Sequence, residues 1–407
     1  VIFHKTHLIR TALSLLCVFA ISVNGQLALA ASGDAIPADK NTIGVTDTEV
    51  AIGSCAPLSG QMKVRGAQVV SGGRAYFSYI NDQGGVNGRK INLVSCDDEY
   101  KAASAIICFD NCLKGKVLAG ALFQGTAAAT KIVPMSELNH LPVVGFSMGA
   151  QFLLEPVRRT VFQVRSALDN ETTEQVNTLW KTLGIRKIAI VFQNDAYGAA
   201  CREGVVKALQ KLGAVPVAQV SYSRLSENVN DVIKELHDSH PQALVLAASG
   251  DALPMIVKRK QEIGADVLLV GISVGTDILV KEAGDAANGV IITQVVPLTQ
   301  TDLPTVKLYE KLLSKYEHAQ PSFSSFEGFL IAMTVVEGLK RAGKDLTREK
   351  FVQALESLHD VDMGLGSKFK LSFSPTNHDG FSSGVYWTVI KNGKVENVTD
   401  WASFKRH

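Results

Sequence analysis

Long apolar runs are missing from the body of this 407-residue chain. Beyond the first thirty residues nothing approaches the roughly 20 consecutive apolar residues of a membrane-spanning helix. An excess of one charge is missing too: 41 Lys+Arg stand against 39 Asp+Glu. No basic stripe points to nucleic acid, and no polybasic run points to an anionic membrane surface. There is no loop ending in Gly-Lys-Ser/Thr to cradle a phosphate, and no His-Glu-x-x-His for zinc. Two of the nine histidines lie before residue 10, and the others fall in predicted loops or at exposed helix ends. Low-complexity linkers are absent. What remains is a folded composition, 46% apolar and 20% charged, long enough for two domains.

The N-terminus has its own pattern. His4, Lys5 and Arg10 precede an apolar stretch over 11–23, and Ala28-Leu29-Ala30 is a small-x-small cleavage site. Residues 1–30 are therefore expected to be a secretory signal peptide and the mature chain to be exported. Removing them takes away Lys5 and Arg10 and no acid, leaving the rest formally neutral. Five cysteines follow, and an exported chain permits disulfides. Cys55 follows the first predicted strand and Cys96 the second, so neighbouring strands would bring them within bridging distance; Cys55–Cys96 is the expected bond. Cys108 and Cys112 share a helix face with no Cys or His pair at ligand spacing, and are expected to be small buried hydrophobes. The odd count leaves a free thiol.

Along the chain, short apolar strands alternate with helical patterns. Strands are predicted at 50–53, 91–94, 117–122 and 142–145, with helices at 65–81, 102–113 and 127–138. The rhythm restarts with strands at 187–192, 215–220, 243–247, 267–271 and 290–295, separated by helices. This βαβ pattern predicts parallel sheets flanked by helices. Three successive helices at 305–316, 326–341 and 347–358 break it. A hairpin closes the chain, with Asn392-Gly393 at its turn.

Four segments carry a resemblance: IGSCAPLSG (52–60), INDQGGVNGRKINLVSCDDEY (80–100), FQNDAYG (192–198) and EAGDAANGVIITQVVP (282–297). Their order and spacing resemble the periplasmic substrate-binding proteins of ABC transporters, of the leucine/isoleucine/valine-binding type. The resemblance implies an α/β fold of two Rossmann-like lobes, a Venus flytrap with a three-segment hinge. Residues 31–166 plus 297–369 would form the N-terminal lobe, and 167–296 plus 370–407 the C-terminal lobe. The crossings are expected near 164–168, 295–298 and 369–373. It also implies capture of a small polar solute (an amino acid, amide or small carboxylate) for a membrane permease. The alternative is a sensor presenting its closed state to a receptor or histidine kinase. Neither role needs enzymatic chemistry, a metal or a cofactor.

Open α/β sheets bind ligands beyond the carboxyl ends of their strands. That rule selects Ser59, Gln124, Gly125, Thr126, Ser147, Met148 and Gly149 on the first lobe. On the second it selects Tyr197, Ser249 and Ser273, with Asp195 and Asp251 nearby. Gln124-Gly125-Thr126 opens a helix whose free N–H groups suit a carboxylate, although Thr126 also has the chemistry of a helix cap. Phe123 and Phe146 belong to the core. The resemblance sets a carboxylate for a ligand ammonium where Ser273 stands here, and a second family tyrosine is replaced near Ser249. Amino-acid specificity is therefore not implied.

Overall fold

The computed structural model describes residues 43–223, 228–366, 369–381 and 384–405. All fall within one compact unit, Ala35–His407. The signal peptide expected at 1–30 lies outside the described residues.

The first lobe runs β1 (Glu49–Ala56), α1 (Lys63–Asp82), β2 (Lys90–Asp97), α2 (Ala102–Cys108), β3 (Ala119–Phe123), α3 (Thr126–Leu138), β4 (Val143–Phe146) and β5 (Val161–Phe162). Its strands form one parallel sheet in the order β2-β1-β3-β4-β5. The Gly-Gly-Val-Asn-Gly turn between α1 and β2 holds Gly84, Gly85, Asn87 and Gly88 at positive φ, which is why those residue types stand there.

The second lobe runs α4 (Leu168–Asn177), β6 (Ile188–Gln193), α5 (Ala196–Gln210), β7 (Gln219–Tyr222), α6 (Asn230–Asp238), β8 (Ala243–Ala247), α7 (Ala252–Lys258), α8 (Lys260–Ile263), β9 (Leu268–Gly271), α9 (Thr276–Ile278) and β10 (Ile291–Gln294). The chain then forms α10 (Pro304–Glu317), α11 (Phe323–Ala342), α12 (Arg348–Glu356), β11 (Val361–Asp362), β12 (Lys370–Leu371), β13 (Tyr386–Lys391) and β14 (Lys394–Asn397). Strands β13 and β14 join the second sheet antiparallel, giving the order β14-β13-β10-β9-β8-β6-β7. The turn between them puts Asn392 and Gly393 both at positive φ, as a tight hairpin requires.

Helices α10–α12 return to the first lobe, and the reason is close packing. A Cβ on Gly72 of α1 would lie 1.7 Å from the Ser325 carbonyl oxygen of α11, and one on Gly328 would lie 1.9 Å from that of Val69. The two helices thus meet backbone to backbone. Tyr76, Phe326 and Phe329 fill the seam beside them.

Three expectations need correction. Strand β7 begins at Gln219 rather than 215, because Val215 and Val217 face solvent and only Val220 and Tyr222 point inward. The third crossing also falls later than 369–373. Leu371, Phe373 and Phe381 pack into the first lobe's core. Gln163 bonds the backbone on both sides of Asp379, donating to the His378 carbonyl and accepting from Gly380. The chain therefore still belongs to that lobe at Phe381 and has joined the second lobe's sheet at Tyr386.

The disulfide expectation fails as well. Cys55 and Cys96 are register partners on neighbouring parallel strands, so their side chains project side by side over one sheet face. The helical turn at 102–113 lies over that face and bonds both: Cys55–Cys108 and Cys96–Cys112, with Cα separations of 6.0 and 6.4 Å. Cys108 and Cys112 are thus bridged, not simple hydrophobes. Their sulfurs cluster with that of Cys96 because the two bridges are adjacent, and oxidised sulfurs offer no thiolate to a metal. Cys201 is the buried free thiol.

Candidate functional site

The carboxyl ends of β3 and β4 on one lobe face those of β6 and β8 on the other. Between them lies a small cavity lined by Met62, Tyr100, Gln124, Gly125, Thr126, Ser147, Met148, Tyr197, Ser249 and Val274. Its volume is about 20 Å³, room for about one water molecule. The lobes are closed over it, and a larger solute can enter only when they part and close again around it.

Seven of the ten residues selected from the sequence line this cavity. Ser59 does not: it is exposed, with its N–H donated to Asp97 Oδ1 at 3.3 Å. Gly149 packs against the hinge, where a Cβ would lie 2.8 Å from the Ser166 carbonyl oxygen. Ser273 lies behind the wall, its N–H and hydroxyl both bonded to Glu171. Phe123 and Phe146 stack in the core with centroids 4.9 Å apart.

The cavity's polar atoms are short of partners. Gln124 Oε1, Thr126 Oγ1 and the Tyr197 hydroxyl are buried without a hydrogen bond. Gly125, not Thr126, is the N-cap of α3, and a glycine offers that end no capping side chain. The first N–H groups of α3 thus lack both helical and side-chain acceptors. Asp195 caps α5, accepting from the N–H groups of Tyr197 and Gly198 at 3.0 and 3.2 Å, which fixes where the Tyr197 ring begins. Burial pushes the Tyr197 phenol well above its ordinary pKa, so it remains a hydroxyl donor. Asp251 is exposed and caps nothing with its side chain. Ser249 donates to Gln193 Oε1 at 2.7 Å, and Tyr222 donates to the Ser249 carbonyl at 3.3 Å.

Met62, Tyr100 and Val274 were not anticipated. Tyr100 had a signal in the acid-rich end of β2: Asp98 Oδ1 accepts the Tyr100 N–H at 2.8 Å and turns the residue to φ 59°. Its ring then lies over Gly125, where a Cβ would come within 2.6 Å of it. A side chain at 125 would drive the ring out of the site.

Beside the cavity runs a chain of buried charges. Arg65 donates to Ser324 Oγ at 2.9 Å, Ser147 Oγ at 3.0 Å and Glu327 Oε2 at 3.1 Å. Ser147 Oγ donates to Glu327 at 2.8 Å. Arg165, 2% exposed, donates to Glu327 Oε1 at 3.3 Å, Glu171 Oε2 at 3.2 Å and Ser273 Oγ at 3.0 Å. Burial pushes the Glu171 carboxyl up, while Arg165 and hydrogen bonds from Thr293 and Ser273 pull it back.

Both serines sit in Gly-x-Ser-x-Gly pentapeptides, 145–149 and 271–275, after β4 and β9. Hydrolases use that pattern for a nucleophile with a histidine base. Here each serine is held by an arginine and a glutamate, and among the described residues no histidine bonds to either. The geometry is that of a polar wall.

The profile of a periplasmic binding protein family matches residues 49–394. The chain belongs to that family. It is similar to Leu/Ile/Val-binding protein homolog 7 of Brucella melitensis, 23% identical over 374 residues that cover 86% of this chain and 91% of the relative. Among solved structures it resembles a possible leucine/isoleucine/valine-binding protein from Rhodopirellula baltica, with TM-score 0.80 and 25% identity, covering 89% of this chain and 98% of that one. It also resembles a fatty acid ABC transporter substrate-binding protein from Thermomonospora curvata, with TM-score 0.79 and 22% identity, covering 88% and 93%. This is a type I periplasmic binding protein of the leucine/isoleucine/valine-binding family, with the two-lobed Venus-flytrap fold.

Proposed function

We propose that this chain is an exported solute-binding protein that captures a small carboxylate or amide without a free amine and delivers it to an ABC-transporter permease. The observation that carries the reading is the set of unpartnered atoms in the cleft. Thr126 Oγ1, the Tyr197 hydroxyl and Gln124 Oε1 come from both lobes and have no partner. The α3 N-terminus and the two hydroxyls suit a carboxylate or amide oxygen. Gln124 Oε1 suits an amide N–H or a hydroxyl.

An ammonium finds no comparable partner. Among the described residues no carboxylate lines the cavity, and the acids behind its wall, Glu327 at Ser147 and Glu171 at Ser273, are already paired with Arg65 and Arg165. A buried ammonium without an anion is costly. The named relatives span this choice, since branched-chain amino acids carry the amine and fatty acids do not. A ligand that touches both lobes only when they are closed shifts the population toward that form.

The test has two parts. Mass spectrometry of what denaturation releases from the purified protein identifies the native solute. Thermal shifts with isovalerate, isobutyramide and valine then rank the classes. The reading expects the acid or the amide to stabilise more than valine; a larger shift with valine would overturn it.

A further inference from the structure

Arg165 lies on the first crossing segment and bonds to both lobes. One guanidinium nitrogen reaches Glu327 on α11 of the first lobe. The other reaches Glu171 on α4 and Ser273 after β9, both on the second lobe. Through Glu327 the contact continues to Ser147 Oγ, which lines the cavity. Through Ser273 it reaches the loop carrying Val274, which lines the cavity from the other side. Arg165 and Glu171 are 2% and 0% exposed, so neither has water as an alternative partner. Two arginines and two glutamates alternate along the chain, leaving no net charge among the four.

We infer that Arg165 is a positioning residue for capture: in the closed form it ties the cavity-lining loop of each lobe to a common guanidinium, and it biases the lobes toward closure. When the lobes separate, Ser147 and Ser273 move apart. Arg165 then gives up either Glu327, which keeps Arg65, or Glu171, for which no other cation lies in ion-pair distance among the described residues and which stays unpaired until water enters. Closure restores both sets at once. The planar fork matters, because two nitrogens must serve two lobes simultaneously. This rests on the cleft being the capture site, but the test below reads lobe separation with no ligand present, so the two proposals fail independently.

The test places spin labels at Val64→Cys, exposed on α1, and Asp251→Cys, exposed before α7. Native Cys201 is buried and the other mature cysteines are bridged, so labelling is confined to the new thiols. Pulsed dipolar spectroscopy without ligand is expected to show a substantial short-distance population. Arg165→Gln should raise the open-to-closed ratio about tenfold or more. Arg165→Lys, which keeps the charge and loses the fork, should recover part of the closure. Ser273→Ala, which removes one partner and no charge, should move the ratio less in the same direction and decides the matter if Arg165→Gln does not fold. A folded Arg165→Gln with the parent distribution would overturn the proposal. So would a parent protein with no short-distance population, or, where Arg165→Gln fails to fold, an unaltered Ser273→Ala.

Discussion

Replacing Tyr197 with Phe removes one oxygen and keeps the ring, which is 4% exposed and packed among Leu168, Cys201 and Val205. That oxygen has no partner in good hydrogen-bond geometry in the closed cleft, only the weakly hydrogen-bonding Cys201 thiol beside it. An unsatisfied buried hydroxyl costs about 1–3 kcal/mol. Tyr197→Phe should therefore leave the ligand-free protein as stable as the parent or slightly more so. Binding should change the other way. The ligand loses a hydrogen bond worth about 1 kcal/mol, and the parent's relief from an unsatisfied group is lost too. Together these predict affinity weaker by about 2–4 kcal/mol, or roughly 30- to 900-fold. Scanning calorimetry of the stripped protein gives the first quantity, and titration calorimetry with the solute identified by mass spectrometry gives the second. The opposed signs make the test strict. Affinity within twofold of the parent, or a melting temperature lower by several degrees, would refute a hydroxyl held ready for ligand.

Three further outcomes follow from the same geometry. Thr126→Ala removes a hydroxyl that caps nothing, so stability should stay within about 1 kcal/mol while affinity falls several-fold; denaturation and titration measure the pair. Peptide mapping of unreduced protein should yield Cys55–Cys108 and Cys96–Cys112 with Cys201 free. Their separations of 53 and 16 residues correspond to about 4 and 3 kcal/mol in the chain-entropy treatment, so reductant should shift the denaturation midpoint markedly. Asp98 is buried with Oδ2 unpartnered, and burial raises its carboxyl from 3.8 to about 7. Between those values the folded chain holds a proton that the unfolded chain has released, so this group's contribution to stability falls as pH rises through that window. Asp98→Asn should remove that share of the decline between about pH 4 and about pH 7 in denaturant titrations. Asp379, also raised to about 7 by burial, should contribute in the same direction.

Local features were the most legible in the sequence. The glycine turn at 84–88, the Asn392-Gly393 hairpin and the three late helices announce themselves through residues whose backbone needs are specific. The loops at 124–126 and 147–148, with Tyr197, follow from strand ends once the sheet is known. What stayed hidden depends on distant partners. The Cys55–Cys96 expectation used strand adjacency correctly but missed that register neighbours point the same way, toward a helix that supplies the true partners. The third crossing was misplaced because Leu371 and Phe373 look equally at home in either lobe until Phe162 is seen against Phe373. The charge chain joins Arg65 to Glu327 across 262 residues and Arg165 to Glu327 across 162, with no local pattern to reveal it. It also explains Ser273. A serine in place of an expected acid is comprehensible once Glu171 and Arg165 are found behind it.

Hydrogen exchange with and without the identified solute tests capture between the lobes most directly. The account predicts new protection in both halves of the cleft together, at 124–128 and 147–149 on the first lobe and at 195–198 and 249–250 on the second. Protection confined to one lobe, or centred on a different part of the surface, would contradict it.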